Sequence, residues 1–442
     1  MGSSERWIVR KLGITATYQG DATHTGSTSP VKTVTVNPRT TTTAVGLNPF
    51  SVVVGQPSTA GVRVTDTGTS VPPGTPDNFS LSGVPATGRT GFTATLFADD
   101  LVLVAGGTDA SNNVLQSAEG YSYGSQTFFS TGSLNAARTG AVAVLLPTGK
   151  VLVAGGSSDG TASGALNSAE LFDPSANTFT TISQNMKAAR FGATATLLAN
   201  GKVLLAGGEN SGGVLNSAEL YDPVADTFTA TGVLPAARTG AVATLLGSGE
   251  VLIAGGSSNG AANGALNTGD LYDPGTGTFS SLAGSTPYLS TGRWQPEAAL
   301  LLSGKVLIAG GQNWYGVLAS ADIYDPATNS FTASNGSMAQ PRANGSALAL
   351  TTGMVLLAGG TTSQVVELYD ADGDQFDLTG SLQNSDDGVI ATLLDHGNVL
   401  VVGLTTAAAS DAVRHRPTTS LCGPTFTAFQ RVCLEFHKSK LS

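Results

Sequence analysis

Residues able to do chemistry recur along this chain at a regular beat. Arginines stand at Arg89, Arg138, Arg190, Arg238, Arg293 and Arg342, and each is followed in its own stretch by one acidic residue: Glu119, Glu170, Glu219, Asp270, Asp322 and Glu367. Six guanidinium groups in a ring could hold an anion. The one-to-one match with carboxylates favours a repeated structural contact instead, either with the acid or with a neighbouring carbonyl. The run Asp370-Ala371-Asp372-Gly373-Asp374 has calcium-ligand residue types. It lacks the glycine and closing glutamate of an EF loop, and a turn is expected there. The histidines, His24, His396, His415 and His437, are scattered, and Cys422 and Cys433 stand alone near the C-terminus. No metal-ligand spacing results, no disulfide framework can form, and one bridge closing the tail stays open. Asymmetry is the sharper signal. Two of the three tryptophans, Trp294 and Trp314, lie within one stretch together with Tyr288 and Tyr315.

These residues must be held by something, and the bulk composition limits what. Of 442 residues only 12% are charged and 57 are glycine, about half the usual ~25% charge of soluble domains. Closely packed short strands with tight turns fit that composition. The net charge of -10 and the lack of a basic stripe argue against nucleic acid. No apolar run reaches the ~18 residues of a membrane span. The opening MGSSERWIVRKLGITATY lacks the apolar core of a secretory signal. Either the chain stays inside the cell or it is a piece of a longer exported protein.

The positioning elements are repeats. Gly-Gly pairs fall at Gly106-Gly107, Gly155-Gly156, Gly207-Gly208, Gly255-Gly256, Gly310-Gly311 and Gly359-Gly360, with steps of 49, 52, 48, 55 and 49 residues. Each ends an apolar run such as KVLVAGG, and a second signature of the SAELFDP or SAELYDP kind follows. Then come Phe128, Phe179, Phe228, Phe279, Phe331 and Phe376. In the second unit, GAVAVLLP and KVLVAGG read as two buried strands joined by a PTGK turn. SAELFD reads as a third strand and TFTTI as an outer one. Four strands in about 50 residues describe a propeller blade.

The pattern of arginine, apolar strand, Gly-Gly, Glu-x-Tyr-Asp-Pro and aromatic resembles the kelch repeat, with phenylalanine where that family usually has tryptophan. The resemblance covers about three quarters of the chain and implies an all-β fold: a kelch-type β-propeller of seven blades, each of four antiparallel strands, over residues 77–417. The seventh unit, DGVIATLLDHGNVLVVGL, keeps only Gly403 of its glycine pair, and Arg414-His415-Arg416-Pro417 replaces Leu-Tyr-Asp-Pro. Two segments could supply its outer strand: Asp77-Asn78-Phe79-Ser80-Leu81 or Pro424-Thr425-Phe426-Thr427-Ala428. The first is preferred, and closure by either removes exposed edges. Residues 1–76 resemble two incomplete bacterial Ig-like segments, modules usual in secreted or cell-surface proteins, which implies an extracellular location. Residues 418–442 read as a C-terminal tail.

Kelch propellers include the radical copper oxidases, so that chemistry is weighed. The stretch TGRWQPEAALLLSGKVLIAGGQNWYG looks like the blade in which those enzymes carry Arg-Trp-Tyr. Here Gln295 follows Arg293-Trp294, and the partner cysteine has no counterpart in the preceding units. Fold alone does not carry the activity. The expectation is therefore a non-catalytic extracellular binding module for a glycan or a protein, with no cofactor, no metal and no catalytic residues. Ligand contacts are expected at Tyr288, Arg293, Trp294, Trp314 and Tyr315, because flat aromatic faces with few charges suit sugar rings and protein hot spots. A structural or adhesive scaffold within a larger surface protein is the alternative, and a radical copper oxidase a third.

Overall fold

The computed structural model describes residues 79–98, 100–382, 388–395 and 397–403, together with the backbone of the strands outside them. The Cys422/Cys433 tail and the rival strand at 424–428 lie outside the described residues, as do His24, His396 and His437. The chain divides into two compact units that part between Gly74 and Thr75.

In the first unit the described strands form three antiparallel pairs: Arg10–Ile14 with Lys32–Val36, Thr17–Gly20 with Thr25–Thr28, and Thr41–Asn48 with Thr59–Asp66. These pairs are all that the expected Ig-like region presents among the described residues.

The second unit is a β-propeller. Six four-stranded antiparallel sheets each come from one intact repeat. In the second blade the order from the ring axis outward is Val142–Leu145, Val151–Ala154, Ala169–Asp173 and Thr178–Thr181. The inner strands neighbour one another in turn, and the ring returns from Ile390–Leu393 to Thr93–Ala98. The count differs from the seven blades expected: six are complete, and the worn seventh unit enters a composite sheet. It joins Ile390–Leu393 and Val399–Val402 to a three-residue strand, Val413–His415, and then to Ser80–Leu81 from the N-terminal side. The cause is local. That unit has lost the second glycine and the Leu-Tyr-Asp-Pro signature, and among the described residues its own chain supplies three strands.

Burial follows the strand order. The second strand is wholly buried in every sheet of the ring but the first, as in Val151–Ala154 and Val306–Ala309, and in the first only Leu101 is half-buried, because sheets pack on both of its faces. Inner strands such as Val142–Leu145 are half-buried, since one edge lines the axis. The seams between blades are the core. Leu152, Ala154, Val203, Leu205, Tyr221 and Phe228 fill the seam of the second and third blades. Each large apolar side chain buried there stabilises by about 1.5–3 kcal/mol. Across the outer strands of each complete blade an aromatic pair stacks, for example Tyr221 on Phe228 at 4.9 Å between centroids. Phe79 is buried among Leu350, Leu356, Val366 and Val399. No helix among the described residues is long and apolar enough to cross a membrane.

The glycine pairs are steric necessities. Gly155 and Gly156 have φ of 64° and 84°, which L side chains rarely adopt. A Cβ on Gly155 would stand 2.5 Å from the Arg190 carbonyl, and one on Gly156 2.8 Å from that of Thr139. The glycines thus let two successive loops press onto the end of the second strand, where Gly156 N–H donates to Arg190 O at 2.8 Å.

Candidate functional site

The six arginines are structural. Each is buried and ion-paired to the acid of its own unit, as in Arg138–Glu170 at 2.7 Å and Arg190–Glu219 at 3.0 Å. Arg190 Nη1 also donates to the carbonyls of Gly207 and Ser217. The Glu219 carboxylate accepts the backbone N–H groups of Lys187 and Ala188. Every pair therefore pins the loop leading into its blade onto that blade's glycine pair. An anion ring is ruled out by this geometry, because the charges are met one by one inside the protein. Burial lowers the Arg190 and Arg293 pKa, and the adjacent carboxylate opposes the shift. Asp370–Asp374 forms a turn, with Asp372 N–H donating to Asp370 Oδ1 and Tyr369 Oη donating to Asp374 Oδ1. No cluster of three or more metal-ligating side chains occurs among the described residues.

The fifth blade brings its aromatics to one face. Its inner strand is Glu297–Leu300, and the loop before that strand carries Tyr288 and Trp294. After its second strand, Val306–Ala309, a hairpin pairs Gln312–Asn313 with Gly316–Val317 and carries Trp314-Tyr315 at its tip. Loop and hairpin are fastened together. Trp294 and Gln312 exchange backbone bonds of 2.9 and 2.8 Å, and Asn313 Nδ2 donates to Thr291 Oγ1 at 2.9 Å. The Asn313 Oδ1 accepts Tyr315 N–H at 2.9 Å, fixing the tip.

The five expected contact residues fare differently. Trp314 is 74% exposed, Tyr315 94% and Tyr288 58%. Trp294 is half-buried, with its indole lying over Gly240 of the fourth blade. Arg293 is corrected: it is fully buried and gives Nε and Nη2 to Asp322 at 3.0 and 2.8 Å, so it faces no ligand. Its adjacency to Trp294 is only in sequence, since neighbouring residues of an extended segment point opposite ways. Among the described residues no ring-to-ring contact joins the four aromatics, so they are separate platforms on one face. The third blade builds the same hairpin with Ser211-Gly212 at its tip. The second and fourth blades have 3-10 turns there instead, Ala162–Gly164 and Ala262–Gly264.

At the opposite ends of the strands lies a shallow depression of about 320 Å³ lined by Asn200, Ser248, Glu250, Asp273 and their neighbours. Lysines at this position elsewhere pair with the turn aspartate: Lys150–Asp173, Lys202–Asp222 and Lys305–Asp325, each at 2.9 to 3.0 Å. The fourth blade has Glu250 in place of the lysine.

Sequence reasoning passed over Glu297, the first residue of the fifth inner strand. It is 3% exposed, and neither carboxylate oxygen has a hydrogen-bond partner. Burial pushes its pKa up to about 8, against the weaker pulls of Arg342 and of the nearby Gly345 N–H, which stands outside good hydrogen-bond geometry. The signal lay in aligning the units, where this position otherwise holds Thr93, Val142, Thr194, Val242, Ser346 and Ile390.

No protein-family model matches the sequence, and no curated protein matches it. The chain is similar in structure to YjhT, a propeller-type protein, at a TM-score of 0.51 and 15% identity, over 69% of this chain and 99% of that one. At that identity the likeness speaks for the propeller fold alone.

Proposed function

We propose that the protein is a non-catalytic kelch-type binding module that works outside the cell and takes a glycan or protein ligand on the aromatic face of its fifth blade. The observation that carries this reading is the Trp314-Tyr315 tip, two large aromatics 74% and 94% exposed on a hairpin that Asn313 holds rigid. Exposed aromatics backed by fixed backbone lose little conformational entropy on binding. Amide side chains stand beside them, with Gln312 bonded to Gln295 at 3.0 Å, and charge is sparse. That mixture favours a sugar over a charged peptide. The kelch reading is supported by the six linked recurrences, and the extracellular reading by the Ig-like resemblance of residues 1–76.

Non-catalysis is supported by Gln295 at the position of the oxidase tyrosine and by the lack of cysteine in the propeller sequence. Purified protein should hold no stoichiometric copper and oxidise neither alcohols nor aldehydes; one tightly held copper per chain would overturn this.

A glycan array followed by titration of the best ligand tests the site. Trp314→Ala should lose about 2 kcal/mol of binding, some thirtyfold in affinity, with the melting temperature almost unchanged. If Trp314→Ala instead unfolds the protein, the side chain belongs to the core and the reading fails.

A further inference from the structure

Around the propeller mouth the loops before successive inner strands are joined by a belt of backbone hydrogen bonds. Gly140 N–H donates to Gly91 O at 2.7 Å, Gly240 to Gly192 at 2.9 Å, Gln295 to Gly240 at 2.9 Å and Asn344 to Gln295 at 3.0 Å. All members are left-handed, with φ of 60° at Gly140, 61° at Gly240, 52° at Gln295 and 59° at Asn344. Glycine adopts this conformation freely, and glutamine and asparagine do so under strain. The link from Asn344 to Gln295 is the one described link with a side chain at both ends.

Glu297 adjoins that link on both sides, two residues after Gln295 and against Gly345, the neighbour of Asn344. It begins the fifth inner strand and turns toward the sixth blade, where a Cβ on Gly345 would collide with its Oε1. Three of the six other units place alanine at the position of Gly345, Ala141, Ala193 and Ala241, and the rest place Phe92, Pro296 and Val389. At the aligned positions the second and third blades have Val142 and Ala193, where the fifth and sixth have a carboxylate and a glycine. The titratable groups facing Glu297 are Arg342 and Glu367 of the sixth blade, and these are already paired with each other at 2.7 Å. The fourth blade's inner strand, Val242–Leu245, and the fifth blade's own Val306–Ala309 contribute none. Around the same gap the Ala358 carbonyl lies 2.8 Å from where the Gly345 Cβ would be. A neutral carboxyl has an O–H to offer such a carbonyl, whereas a carboxylate has only the Gly345 N–H nearby, without a formed hydrogen bond, to replace the water it lost.

We propose that Glu297 is a proton-operated latch on the seam of the fifth and sixth blades, closed when the carboxyl is neutral and released when it ionises, so that the Asn344–Gln295 link beside the aromatic face opens. The burial that holds its pKa up to about 8 puts the transition near neutral pH. The inference rests on the fold and not on the ligand reading.

Hydrogen exchange of individual amides across about pH 6 to about pH 9 tests it, with the Gly240 amide of the same belt as internal reference for base-catalysed exchange. In the natural protein, exchange at Asn344 should accelerate by about tenfold or more relative to Gly240 over that range. In Glu297→Gln the ratio should stay flat. The double variant Glu297→Val with Gly345→Ala, which copies Val142 and Ala193, should also be flat, and it serves if the glutamine variant folds poorly. A ratio that stays constant in the natural protein, or one that rises equally in either variant, overturns the latch.

Discussion

Arg190 shows what a single side chain does in this scaffold. Its guanidinium is buried with Glu219 and also bonds two carbonyls, so Arg190→Ala leaves an uncompensated carboxylate inside. Losing one partner of a buried pair costs about 3–5 kcal/mol, which denaturant unfolding would show as a large drop in midpoint. A loss under about 1 kcal/mol would mean the pair is dispensable. Glu297 sets a pH dependence with a definite sign. Its folded pKa of about 8 lies above its ordinary 4.5, so its stabilising contribution is complete below about pH 4.5 and is lost as pH rises through about 8. Melting temperature should decline across that window, and Glu297→Gln should flatten the decline. The arginine pairs were legible because the repeat shows the same couple six times. Arg293 was misplaced because it adjoins a tryptophan in sequence but turns inward. Glu297 went unread because it opens an apolar run, EAALLL, and no motif marks it.

Strands and turns follow from composition more directly. The alternation of apolar run, turn and Gly-Gly placed the inner hairpin of every blade, and the Tyr-Asp-Pro signature placed the next turn. What the chain pattern could not show is which loops touch, since the bond from Asn313 to Thr291 joins residues 22 apart. Glycine tests separate local from tertiary demands. Gly149 and Gly156 share a left-handed φ, 79° and 84°, but a Cβ at Gly149 meets nothing within 4 Å and one at Gly156 meets the Thr139 carbonyl at 2.8 Å. Gly149→Ala should therefore cost about 1 kcal/mol from conformation alone, and Gly156→Ala clearly more. Equal thermal shifts for the two would refute the role given to the glycine pair. On the opposite face, Glu250→Lys should restore the lysine–aspartate pair that three other blades have, with a small rise in melting temperature.

At the scale of the molecule, the ring is closed without a covalent join. Ser80–Leu81 pairs with Val413–His415, and Phe79 fills the adjoining seam. The N-terminal match to the outer-strand pattern was readable, because Phe79 stands where each unit has its phenylalanine. The composite sheet was less readable, since a worn repeat gives no length for its third strand. Removing residues 1–82 should lower the melting temperature sharply by opening a sheet edge, whereas removing 1–70 should not. Function is asserted for one face of this ring, and mapping a bound ligand tests it most directly. Hydroxyl-radical footprinting with the strongest array ligand should protect Tyr288, Trp294, Trp314 and Tyr315 together, and leave Asn200, Glu250 and Asp273 on the opposite face unchanged. Protection of that opposite depression, with Trp314 and Tyr315 still fully reactive, would contradict the account.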